Sequence, residues 1–143
     1  MTNINHSYVD SIFQLSFGYW KSCILFTATE FDIFTLISKG TVTSKDISKY
    51  IHTKERATEM ILNALVSLEL LTKQGNCYYN TPISNLHLIK GKPHYLGDFI
   101  HHAQNIFENW TMLRETIETG KAVSLKDLPE EVDPHDLRDF ITA

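Results

Sequence analysis

Residues 4–38 hold eight of the sixteen aromatic side chains in this 143-residue chain, and their only charges are Asp10, Lys21, Glu30 and Asp32. One apolar stripe runs Ile4, Tyr8, Ile12, Leu15, Tyr19, and a second runs Val9, Phe13, Phe17, Trp20, Ile24. Both have helical spacing, yet they lie on different faces. A helix apolar on more than one face has to be covered on more than one side. A chain of this size builds one core. The second face therefore predicts a partner, either another subunit or another domain.

The remaining chain reads as short helices around a single hairpin. Ser44 is placed to cap a helix whose apolar side is Ile47, Tyr50 and Ile51. His52 and Thr53 form a turn, with Thr53 as N-cap of a longer helix carrying Ala57, Met60, Ile61, Ala64, Leu65 and Leu68. The period then changes. Leu70-Leu71-Thr72-Lys73 and Cys77-Tyr78-Tyr79-Asn80 flank Gln74-Gly75-Asn76, the pattern of a β-hairpin with glycine in its turn. Helix, turn, helix, hairpin is the order of a winged helix. Pro82 suits a first helical position, so a short helix through Leu86 follows. After Gly91-Lys92-Pro93, a helical region from about His94 to Thr119 carries Phe99, Ile100, Ala103, Ile106, Phe107, Trp110, Leu113 and Ile117, with a bend near Gln104 and Gly120 as terminator. Residues 121–133 read as a linker. Pro134 starts another helical pattern (Leu137, Phe140, Ile141) that stops without a cap, which suggests a piece of something longer.

Composition and motifs mainly exclude functions. A net charge of −4 gives no global attraction to nucleic acid or anionic membrane. The first apolar stretch is too short to span a bilayer, and no basic segment precedes it, so the expected compartment is the cytoplasm. Cys23 and Cys77 form no C-x-x-C pair and read as reduced thiols. No two of the six glycines are separated by a single residue, so the dinucleotide and Walker A loops are both absent. His101 and His102 diverge by about 100° on a helix and no third ligand is spaced for them, so no metal site is expected. The winged-helix order raises DNA binding, but Glu55 and Glu59 lie on the helix that would meet phosphate, and the hairpin offers only Lys73.

Several segments in order resemble the small-molecule S-adenosylmethionine-dependent O-methyltransferases. The run from Leu25 to Ile37 resembles the segment that opens their N-terminal domain. Asp46 to Ile51, Ala64 to Leu71 and Tyr78 to Ser84 resemble its successive helix, helix and strand–proline elements. Trp110 to Leu113 followed by Gly120 resembles its end. The resemblance implies a mainly α, winged-helix-like domain with one short β-hairpin, and extra N- and C-terminal helices that form an intertwined homodimer. It implies a dimerisation domain at 1–120, then a linker and helix start at 121–143 leading to a separate domain that holds S-adenosylmethionine and the catalytic base. No catalytic, cofactor-binding or metal residue is expected in this chain. A small-molecule hydroxyl acceptor is the implied substrate, with Trp20, His102, Phe107 and Trp110 as candidates for an apolar wall of its pocket. Asp32 and Glu69 stand where the family usually has glycine, which implies that those two helix junctions differ. The alternatives are a winged-helix transcriptional regulator, or a stand-alone subunit pairing with a separate catalytic chain.

Overall fold

The computed structural model describes the backbone of residues 6–121 and the side chains of residues 9–121. The pattern starting at Pro134 and most of the 121–133 linker lie outside the described residues. The chain divides into two compact units, Met1–Gln104 and Asn105–Ala143.

The first unit begins with α1 (His6–Phe17), α2 (Tyr19–Glu30) and α3 (Ile33–Ser38). It continues through α4 (Ser44–Tyr50), α5 (Glu55–Ser67), β1 (Leu71–Gln74), β2 (Cys77–Asn80) and α6 (Pro82–His87). The hairpin is antiparallel, with Leu71 opposite Asn80 and Gln74 opposite Cys77, so Gly75 and Asn76 alone make the turn. Gly75 has φ +57, the left-handed region that a tight turn requires and that glycine enters freely. The chain entering α4 adds a minimal third strand: Thr43 bridges Cys77, and the Tyr78 N–H donates to the Val42 carbonyl at 2.8 Å. Three helices closed by a hairpin and this short bridge make the winged-helix arrangement expected from the sequence.

The core lies between α3, α5 and the hairpin. Ile33, Phe34, Ile47, Leu62, Leu65, Leu71 and Tyr78 are all at most 1% exposed. The face of α5 that enters this core is rotated from the expected one. Thr58, Leu62 and Leu65 are buried, whereas Ala57 and Met60 are exposed. Periodicity finds a stripe but not its centre, and Thr58 is admitted because its hydroxyl donates to the Lys54 carbonyl at 3.1 Å. Two caps also differ. The N-cap of α4 is Thr43, whose Oγ1 accepts from the Asp46 N–H at 3.1 Å and lies 2.6 Å from Asp46 Oδ2. Ser44 is already helical, because this reciprocal pairing places the carboxylate three residues after the cap. Lys54 takes the N-cap position of α5 without a side-chain bond. Thr53 instead places its hydroxyl 2.7 Å from that of Thr58.

Asp32 and Glu69 have φ 53 and 59, so both junctions keep the left-handed backbone that glycine would take without strain. At the end of α5 this produces a Schellman turn, with the Leu70 N–H donating to the Leu65 carbonyl at 3.0 Å. The expected difference at these junctions is thus one of side chain and strain, not of path.

The helix expected from about His94 begins at Gly97. His94, Tyr95 and Leu96 form a strap, with the Leu96 N–H donating to the His87 carbonyl at 2.8 Å. The tip of the Tyr95 ring stands where a Cβ on residue 97 would project, so any other residue there has to displace that ring. The long helical stretch is two helices, α7 (Gly97–Trp110) and α8 (Leu113–Thr119). The break falls at Thr111 and Met112, not near Gln104. Their N–H groups bond three residues back, to Glu108 and Asn109, and the Thr111 hydroxyl also donates to the Glu108 carbonyl at 2.6 Å. Such bonds tighten the last turn and end the helix. Gly120 closes α8 at φ 65, as expected.

Candidate functional site: the N-terminal aromatic helices

Burial rises along the chain from α1 to α3. Every described side chain of α1 is exposed, the middle of α2 is half-buried, and Ala28 and Thr29 at its end are buried. Ile33 to Ile37 are buried throughout. Six apolar side chains, Ile12, Phe13, Leu15, Phe17, Tyr19 and Trp20, stay 44–84% exposed. Such a set would dominate the core of any small domain. The sequence places them on two faces, and the described residues cover neither.

The rings are organised. Phe13 and Phe17 are parallel, with centroids 6.2 Å apart. Phe17 meets Trp20 at 4.5 Å and 44°, and Tyr19 meets Trp20 edge-on at 6.3 Å. Gly18, between the two helices, keeps helical angles (φ −55, ψ −34). That holds Phe17 and Trp20 close to ordinary i, i+3 neighbours across the junction. Ring pairs of this geometry add about 0.5–1.5 kcal/mol beyond the area they bury. Among α1 and α2 the only carboxylates and ammonium groups are Asp10, Lys21 and Glu30. The surface can therefore be desolvated at small electrostatic cost. Its chemistry is association rather than catalysis.

The four residues expected to line a pocket fall in both units. Trp20 belongs to the α1–α2 ring cluster. His102 is exposed on α7 in the first unit. Phe107 is half-buried and Trp110 exposed in the second, where Trp110 borders a shallow hollow with Asn109, Leu113 and Thr116. Sequence reading singled out Trp20 in this cluster as a pocket residue. The stacked Phe13 and Phe17 had only their stripe as a signal.

The wing carries a second polar cluster. Lys73 Nζ donates to Asn63 Oδ1 at 3.0 Å and lies 3.5 Å from Glu59. The same Asn63 oxygen accepts from the buried Tyr78 hydroxyl at 2.9 Å, and the ammonium stands 4.8 Å above the Tyr78 ring. The neighbouring Tyr78 hydroxyl and Glu59 raise the Lys73 pKa above its ordinary value. The cation that could have met phosphate is turned back onto α5. Among the described residues no group of three or more His, Cys, Asp or Glu side chains could hold a metal, and no helix is long and apolar enough to cross a membrane. The described residues form a single two-stranded antiparallel sheet, without the parallel strand–loop–helix unit that cradles nucleotide-like cofactors in other folds.

Residues 13–90 match the model of the O-methyltransferase dimerisation domain. This chain belongs to that family, the dimerisation domains of S-adenosylmethionine-dependent O-methyltransferases. The 8-O-methyl transferase TcmO of tetracenomycin polyketide synthesis in Streptomyces glaucescens is 30% identical over 141 residues, covering 92% of this chain and 40% of that protein. The N,N-dimethyltransferase OxyT of Streptomyces rimosus is 30% identical over 115 residues, covering 80% and 33%. A solved O-methyltransferase family protein from Burkholderia thailandensis superposes with a TM-score of 0.71 at 28% identity, covering 79% of this chain and 34% of that one. The chain thus spans about a third to two-fifths of the length of the relatives it matches.

Proposed function

We propose that the chain pairs two O-methyltransferase subunits as a homodimer through α1 and α2, and that its partner wraps this helix pair on both faces. The supporting observation is the six-residue apolar set left exposed, five of whose members, all but Ile12, lie inside the segment that matches the dimerisation family. A stable interface needs about 800 Å² per partner, and large apolar side chains on two adjacent helices supply area of that order. Two-sided coverage is what an intertwined dimer provides and what a flat contact does not. Light scattering should give twice the monomer mass at micromolar concentration. A monomer at that concentration overturns the reading.

In this reading residues 1–120 form the dimerisation domain and 121–143 lead to a domain that binds S-adenosylmethionine and the hydroxyl-bearing acceptor. The present chain then binds no methyl donor, and calorimetry with S-adenosylmethionine gives no heat. Trp20, His102, Phe107 and Trp110 form part of the acceptor wall. In a protein carrying the catalytic domain, His102→Ala and Trp110→Ala raise KM for the acceptor and leave the affinity for S-adenosylmethionine unchanged. An unchanged KM removes them from the wall.

A further inference from the structure

We draw no further inference here: the strongest candidate, the exposed apolar stripe of Ile106, Trp110, Leu113 and Ile117 along α7 and α8, carries nothing because nothing in the structure shows what covers it.

Discussion

The N-terminal helix pair α1–α2 and the winged-helix core are built from the same kinds of residue and end in opposite environments. Phe34, Leu62 and Leu65 are at most 1% exposed, whereas Phe13 and Leu15 are 56% and 84% exposed. The difference is one of company. Phe34 and Leu62 have helices and a hairpin on every side. No element among the described residues closes over α1. Apolar area is thermodynamically equivalent in both places, at about 25 cal/mol per Å² removed from water. In one region folding removes it. In the other only association can.

The sharpest way to break this contrast is to substitute one residue in each region. Leu62→Ala should destabilise the fold by about 2–5 kcal/mol in urea titrations, because it leaves a cavity at a fully buried site. A loss under 1 kcal/mol would mean that the core is not where the structure puts it. On the other side, Trp20→Ala should weaken self-association by about 2–4 kcal/mol, roughly 30- to 1000-fold in Kd. Its far-UV circular dichroism should not change. Wild-type Tm should rise with protein concentration, as for any folded state stabilised by a partner. The Trp20→Ala chain should lose that dependence. If both substitutions lower Tm equally at every concentration, α1–α2 is ordinary core and the contrast fails.

Smaller effects test the junctions. Glu69 holds a left-handed backbone that costs an L-residue about 1–2 kcal/mol. Glu69→Gly relieves that strain, and the greater freedom of glycine in the unfolded chain offsets part of the gain. A net stabilisation of about 0.5–1 kcal/mol is expected, read as a higher urea midpoint with an unchanged slope. A lower midpoint would show that the Glu69 side chain contributes more than its backbone costs.

The smallest effect concerns the seam between the two regions. Burial, with Asp32 and Asp98 nearby, raises the Tyr95 pKa above its ordinary value. Asp32 sits between α2 and α3, so the tyrosine reports on that junction. Because the folded state holds the phenolic proton more tightly, this contribution is complete below the pKa of the unfolded chain, about 10. It is lost as pH rises through the folded-state value. Unfolding above pH 10 should therefore be steeper with pH for the wild type than for Tyr95→Phe. Identical slopes would remove the electrostatic link.

Much of the fold was legible from residue order. The hairpin could be read because Gly75-Asn76 interrupts two short runs rich in β-formers. Pro82 and Gly120 marked a helix start and a helix end because each removes or permits one specific backbone state. What failed had a local competitor. Ser44 and Thr53 looked like caps, but the neighbouring Thr43 had the better partner in Asp46, and the Thr53 hydroxyl was taken up by Thr58. Leu62 was missed because a stripe drawn through Ala57 and Met60 has the right period and the wrong phase. Phase depends on which neighbours arrive, and no local pattern records that.

The aromatic segment divides the same way. Its residues alone determined that two faces of a helix needed covering, since spacing and side-chain chemistry are fixed before folding. Only the tertiary structure decided which part of the segment the chain covers itself. Burial reaches back from α3 through the end of α2 to its half-buried middle, where Ile24, Leu25 and Phe26 pack against the core, and fades before Lys21. Phe13, Phe17 and Trp20 remain outside the core as a stacked, nearly uncharged surface.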